Sequence, residues 1–421
     1  MADRSAGAPL TWRSSADSVL RPNIRLLCTL GLWQPADSAL FHAYTVAVLA
    51  VGVAHIAVAA VGIWYRPGDL AEVTIGLANV FVIFTALSKS LLFVSRRPLF
   101  YALARRVDLM TVEQQAFCTG DPTIQQVVSI ARKRAGRLSV FFHWYVLVAD
   151  ILWSLIPLVQ ASKEKRWPFQ QMPLGTWARS PFYELSYVLQ CASTVFFSLI
   201  SVDVDCFFVA VMTHITVQLR ILTFRLATVG TGMNETVNEL DCQASRLKDA
   251  IHEQLRACVE THQNLLSSHG LIYTCVFSPV VHVRLVSFLN VVMSPVAMLQ
   301  LAVGAVSSCM VLFPATYSTD NAAAMKCWAA LPVLGIQLYL YCSTAHHLKD
   351  QGEAVSGAVY SCAWPESGCR LQRSLLLVMC RAQRPLELTA GRMFPINRAT
   401  FLSLVNATYS YYTVLKNVNN H

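Results

Sequence analysis

Charge is what this 421-residue sequence has least of. Only 14% of its residues are Asp, Glu, Lys or Arg, against 55% hydrophobic. Globular domains carry about 25% charged residues, so a chain this poor in charge spends most of its surface in lipid. The net charge of +9 does not point to nucleic acid, because the basic residues sit in short segments between long apolar runs. No Cys-x-x-Cys pair occurs among the thirteen cysteines, so neither a zinc site nor a disulfide framework is legible. The first 37 residues are polar and mixed in charge, with no short apolar region before a cleavage site, and no signal peptide is expected. No internal repeat is present, which argues against a transporter built from inverted halves. No catalytic constellation stands out, and no enzyme, metal site or cofactor is expected.

What is present is a series of apolar runs long enough to cross a bilayer, which needs about 20 residues as a helix. They are Ser38–Ile63, Val73–Val94, Leu138–Gln160, Tyr183–His214, Leu285–Phe313, Ala322–Leu348 and a weaker one at Pro395–Val418. The predicted fold is all-α: a polytopic membrane protein with seven transmembrane helices and a cytoplasmic helical anchor region. The fourth run exceeds a bilayer's needs, and Ile215, Leu219, Leu222 and Leu226 continue one face beyond it. It should project from the membrane. Leu247, Ile251, Leu255, Cys258, His262 and Leu265 recur at helical spacing and predict an amphipathic helix in the loop that follows.

Lys and Arg set the direction. If the N-terminus is inside, 24 of the 33 lie on its side of the membrane and 7 on the other. The positive-inside rule then puts the N-terminus in the cytoplasm and the C-terminus outside. That is opposite to a G-protein-coupled receptor, and the Asp-Arg-Tyr and Asn-Pro-x-x-Tyr signatures of such receptors are missing. The organisation reads as a cytoplasmic tail (1–37), spans one to four (38–214), the anchor region (215–284), spans five and six (285–348), a cytoplasmic segment running into span seven (349–394) and the last helix with its tail (395–421). The triplets Asn234-Glu-Thr236 and Asn406-Ala-Thr408 fall in the cytoplasm and in a span, so neither should be glycosylated.

Several polar residues at membrane depth have two readings. Lys89 can be functional or can snorkel to the nearby cytoplasmic interface, and snorkelling is the simpler expectation. Asp203 and Asp205 can relay protons, or can be solvated at the helix end or paired with Arg220 or Arg225, and solvation or pairing is the simpler expectation. His346 and His347 read as interfacial histidines. Cys309 and Cys327 flank a short outer loop and could pair, which spacing alone does not establish. Aromatic residues gather in the outer halves of the early spans, among them Phe81, Phe84, Trp144, Tyr145, Trp153, Tyr183 and Tyr187, with Asp150, Ser154, Gln190 and Thr194 as sparse polar company. That composition suits a small ligand, or an interfacial aromatic belt. In the last span Thr400, Ser403, Ala407, Ser410, Val414 and Asn417 form one small, polar stripe. Such a stripe serves close helix packing or, repeated around a symmetry axis, lines water.

Four stretches carry a family resemblance: Ser201-Val-Asp-Val-Asp-Cys-Phe-Phe208 with Gln218-Leu-Arg-Ile-Leu222; Cys258-Val-Glu-Thr-His-Gln-Asn-Leu-Leu266; Gln337-Leu-Tyr-Leu-Tyr-Cys342 with Val359-Tyr-Ser-Cys-Ala-Trp364; and Arg381-Ala-Gln-Arg-Pro385 through Thr389-Ala-Gly391 and Phe394 to Tyr409-Ser-Tyr-Tyr-Thr-Val-Leu415. In this order and spacing the chain resembles the insect odorant receptors of the seven-transmembrane family. The resemblance implies a ligand-gated, non-selective cation channel, assembled as a tetramer through the cytoplasmic ends of the last four spans. It implies an odorant pocket in the outer half among spans two to six. The aromatic cluster is then the natural ligand site, comprising Phe81, Phe84, Trp144, Leu147, Ile151, Tyr187, Cys191 and Thr194. By the same resemblance the last helix lines the pore, with Ser410, Val414, Asn417 and Val418 at its wall and gate. The chain lacks the long fourth-to-fifth insertion of the family's co-receptor, and so looks like a tuning subunit. The implied partners are the co-receptor in a heterotetramer, a volatile apolar small molecule and membrane lipid, with no nucleic acid. The implied location is the plasma membrane of sensory neurons.

Overall fold

The computed structural model describes residues 18–34, 38–65, 70–117, 122–160, 180–228, 285–317, 321–362 and 385–419, with Ser15 and a few positions between 372 and 383. The predicted helix at Leu247–Leu265 lies outside the described residues. The helices in chain order are α1 (Arg21–Thr29), α2 (Ala39–Tyr65), α3 (Leu70–Ser95), α4 (Arg97–Phe117), α5 (Pro122–Gln160), α6 (Phe182–Thr228), α7 (Leu285–Tyr317), α8 (Asn321–Ser361) and α9 (Arg398–Asn419). A two-residue hairpin, β1 (Thr389–Ala390) and β2 (Phe394–Pro395), precedes α9. Six of these helices (α2, α3, α5, α6, α7 and α8) are long and apolar enough to cross a membrane. In lipid each backbone N–H and C=O must be satisfied within its own segment, and a helix does this.

All seven expected spans are helical, and several outrun the bilayer. α5 starts at Pro122 rather than near Leu138, and α8 continues past Leu348 to Ser361. α6 runs to Thr228, with Ile215, Leu219, Leu222 and Leu226 buried along the predicted face. Two helices were not foreseen. α1 and α4 are too short or too charged to read as spans, and their apolar faces pack on protein instead of lipid. α1 packs on α6, and α4 packs on α6 and α7.

An aromatic cluster joins the N-terminal segment, α3, α4 and α6 in the main core. Trp33 packs at a tilt against Tyr101 with ring centres 4.6 Å apart, and Phe93 against Phe100 at 4.2 Å. Phe207 and Phe208 of α6 close the same cluster, 6.0 and 5.6 Å from Phe100. Arg97 ties the N-terminal segment in place. Its guanidinium donates to the Leu32 carbonyl at 3.1 Å, to Gln34 Oε1 at 3.2 Å and to Thr45 Oγ1 at 3.0 Å. A buried guanidinium is tolerated when its fork of donors is met.

The hairpin fastens the start of α9 to α7. Asn290 Oδ1 accepts from the Thr389 amide at 2.8 Å, the Ser294 carbonyl accepts from the Gly391 amide at 3.1 Å, and Ser294 Oγ accepts from the Arg392 amide at 3.2 Å. Gly391 has φ +60°, and a Cβ there would meet the Met298 side chain at 3.1 Å, so glycine suits both the turn and the close approach. α9 packs on α7 and α8 alone among the described elements with several contacts. Phe401 meets Tyr339 edge-on at 5.6 Å. Leu402, Val405, Tyr409, Tyr411 and Val414 stay exposed.

Candidate functional site

Two polar systems occupy the interior of the helical bundle, one above the other. The deeper one is built on α6. Lys89 of α3 is fully buried, and its ammonium donates to Asp205 Oδ1 at 2.7 Å and Oδ2 at 2.8 Å and to Ser201 Oγ at 3.0 Å. Tyr341 of α8 donates its hydroxyl to Asp205 at 2.7 Å, and the Gln337 amide donates to the other carboxylate oxygen. Two residues earlier on α6, Asn23 of α1 donates to Asp203 Oδ1 at 3.2 Å, and His143 Nε2 stands 3.6 Å from the same oxygen. The α6 carboxylates therefore collect α1, α3, α5 and α8 around one helix.

This corrects two expectations. Lys89 does not snorkel, because Asp205 offers it a charged partner at depth. Asp203 and Asp205 do not pair with Arg220. A helix rises 1.5 Å per residue, so Arg220 stands roughly 22 Å beyond Asp205, and its side chain is exposed. His346 lies 3.6 Å from Asp350, and His347 accepts from Arg398 at 3.1 Å. Cys309 and Cys327 are both buried and free.

The second system is a cavity of about 120 Å³ enclosed by all of α3, α5, α6, α7 and α8. These are the second to sixth spans. Its apolar wall includes Ala78, Val82, Val146, Ala149, Val202, Val311, Ala330, Val333 and Leu334, with Trp153 at the side. Its polar groups are Asn79, Asp150, Thr194, Ser198, Ser201, Ser307 and Gln337. Ser201 and Gln337 belong to both systems, so the floor of the cavity is the roof of the Lys89–Asp205 cluster. Asn79 precedes Lys89 by ten residues on α3, roughly 15 Å along the axis, which puts the cavity toward the end where α3 and α6 begin. Mostly apolar walls with a few converging polar groups are the usual makeup of a small-molecule site.

Of the eight residues named for ligand binding, Thr194 lines this cavity. Tyr187 is buried and donates its hydroxyl to the Ser154 carbonyl at 2.5 Å. Phe81, Leu147 and Cys191 are half-buried, while Phe84, Trp144 and Ile151 are exposed on the outer face of the bundle, Trp144 by 62%. The structure thus gathers the small polar and branched residues of these spans around the cavity and leaves several of the large aromatics on the rim. Ser410, Val414 and Asn417 are exposed on α9; the Val418 side chain lies outside the described residues. The cavity residues Asn79, Ser198, Ser307 and Gln337 were missed. Asn79 and Gln337 each stand as a lone polar residue in an apolar stretch, and that isolation was the available signal. Among the described residues no group of His, Cys, Asp and Glu could hold a metal ion.

A family model described as "7tm Odorant receptor" matches residues 69–409. Odorant receptor 10 of Aedes albopictus is 23% identical over 361 residues, covering 84% of this chain and 86% of that protein. Odorant receptor Or2 of Anopheles gambiae is equally similar over the same length. Among solved structures, the insect olfactory receptor OR5 from Machilis hrabei in complex with eugenol superposes with a TM-score of 0.72 at 14% identity. The superposition covers 95% of this chain and 97% of that one. It shows the fold, a seven-transmembrane all-α bundle.

Proposed function

We propose that this chain, which belongs to the 7tm odorant receptor family, is the odorant-binding tuning subunit of a heteromeric ligand-gated cation channel. Family membership makes it a multi-pass odorant receptor and not an enzyme. The observation that carries the finer reading is the cavity among α3, α5, α6, α7 and α8, large enough for a small volatile and floored by a polar cluster that touches α1, α3, α5, α6 and α8. Of the residues the sequence suggests for ligand binding, Thr194 lines it. Ligand binding there shifts the helices toward an arrangement the ligand prefers, and only such a difference in affinity can drive opening.

The pore reading rests on α9. It is the least apolar of the seven spans, it packs mainly on α7 and α8 among the described elements, and Ser410, Val414 and Asn417 are exposed along it. Four such helices around an axis make a channel whose narrowest ring, at Val414 and Val418, gates by dewetting. The partner is the family's co-receptor, the N-terminus is cytoplasmic, and the site of action is the plasma membrane of sensory neurons. The test is expression with and without the co-receptor under a panel of volatiles, reading current. Currents that need both subunits and are silenced by Val333→Trp, which fills the cavity, support the reading. Ligand-evoked currents unaffected by Val333→Trp reject the cavity as the ligand site.

A further inference from the structure

Among the described residues the bundle interior holds three carboxylates, Asp150, Asp203 and Asp205, and they are not treated alike. Asp205 has Lys89, Tyr341 and Gln337, and Asp203 has Asn23 and His143. Asp150, on the cavity wall, has no cation within ion-pair distance among the described residues. Ser198 serves its carboxyl from α6, and Oδ2 is left sealed from solvent with no hydrogen-bond partner. Two further cavity groups share this state. Thr194 and Asn79 are more than nine-tenths buried, and Thr194 Oγ1 and Asn79 Nδ2 are unpartnered. Buried polar atoms are met by a partner in nearly all folded proteins. Three orphans around one cavity, on three different helices, mark a place where the partner arrives from outside.

We infer that the cavity selects a compact ligand whose polar head donates a hydrogen bond, an alcohol or an amine, with Asp150 as the acceptor that reads it. The inference rests on the cavity being the odorant site. The chemistry follows from the orphans. An ionised carboxylate oxygen accepts only, so a ligand that meets Asp150 in its charged state brings the N–H or O–H. A hydroxyl that donates to Asp150 can accept from Asn79 in return. An ammonium donates to both Asp150 and Thr194 and also supplies the missing counter-charge. A hydrocarbon or an ether offers no donor and leaves the carboxylate bare in an apolar wall, which is the strongest kind of discrimination a site can build. Size follows from the volume. A dry protein cavity of about 150 Å³ admits benzene, so a cavity of about 120 Å³ takes a ligand near that size.

The experiment compares matched probes on the receptor expressed with its co-receptor. Benzyl alcohol, benzylamine, pentanol and pentylamine carry a donor; anisole, toluene and hexane are close in size and do not. Donor probes are expected to act at concentrations at least tenfold lower. Asp150→Leu is expected to raise the donor probes' half-maximal concentrations at least tenfold and to leave those of anisole and toluene within threefold. Asp150→Asn keeps an acceptor without the charge, so it should lose the amines and retain part of the alcohol response. Thr194→Val, a second variant of matched shape, should weaken the amines more than anisole. Surface labelling confirms that each variant reaches the membrane. Silence of the wild type to all four donor probes overturns the inference. So does equal potency of donor and non-donor probes, or an equal loss for every probe in Asp150→Leu. Val333→Trp separates the two readings. If it leaves responses intact, the cavity is not the ligand site. If it abolishes them while Asp150→Leu spares the donor preference, only the present inference falls.

Discussion

The Lys89 ammonium and the Asp205 carboxylate sit 2.7 Å apart with essentially no exposure, on helices whose sequence positions differ by 116. Each charge is tolerable only because the other is there. Removing one partner of a buried pair strands the other, at a cost of about 3–5 kcal/mol, whereas replacing both by apolar residues is often neutral. Lys89→Met and Asp205→Leu should each sharply lower the thermal stability and yield of the detergent-extracted protein. The double variant should recover most of the loss. A double variant no better than the worse single one would show that the pair does not act as a unit.

Arg97 is expected to hold the N-terminal segment through Leu32, Gln34 and Thr45. Hydrogen bonds to charged groups contribute about 1.5–3 kcal/mol each, though losses from one side chain do not add fully. Arg97→Ala should cost at least about 2 kcal/mol on that scale and expose residues 18–34 to protease. Arg97→Lys should rescue little, because a point charge cannot serve three acceptors fixed in a fork. An unchanged cleavage pattern in Arg97→Ala would count against the staple.

Gly391→Ala tests the hairpin that seats α9. A left-handed backbone costs a residue with a side chain about 1–2 kcal/mol, and here the new Cβ also crowds Met298. The variant should reduce current more than it reduces surface expression. Met298→Ala should repair the crowding and return part of the current, leaving only the backbone cost. Repair that is absent or complete would show that one of the two causes is misassigned.

Val414 is exposed on the proposed pore face and does not line the cavity. Val414→Ser should raise the current without ligand or change the permeability ratio of the channel, with the rank order of ligands unchanged. A reordered ligand series would place Val414 in ligand recognition instead.

Cys28 and Cys380 offer a chemical check on the burial pattern outside the spans. Burial pushes the Cys28 thiol up to about 12, with Asp203 adding to the shift, whereas Cys380 is exposed. The thiolate is the reactive form, so Cys28 stays protonated and inert through pH 9. Brief alkylation of the intact receptor, read by peptide mass spectrometry, should modify Cys380 and spare Cys28 until the protein is unfolded. Early modification of Cys28 would place α1 away from the core.

The sequence by itself determined the membrane character, the number of spans and most of their limits. Ser38, Leu285 and Val418 each lie within about a residue of a helix end, because hydropathy is a local property that lipid enforces along each segment. It also marked Lys89, Asp150, Asp203, Asp205 and Thr194 as unusual, since a polar group at membrane depth stands out without any neighbour being known. Only the tertiary structure decided who meets whom. Snorkelling and helix-end pairing are the nearest solutions along one helix, and both gave way to partners on other helices, which spacing along the chain does not reveal. The cavity followed the same rule. Large aromatics such as Trp144 suit lipid and its interface and can stay on the outer face, while the space inside the bundle opens where small residues such as Ala78, Ala330 and Ser307 face one another. A cavity is what several helices leave between them, and no single helix carries its outline.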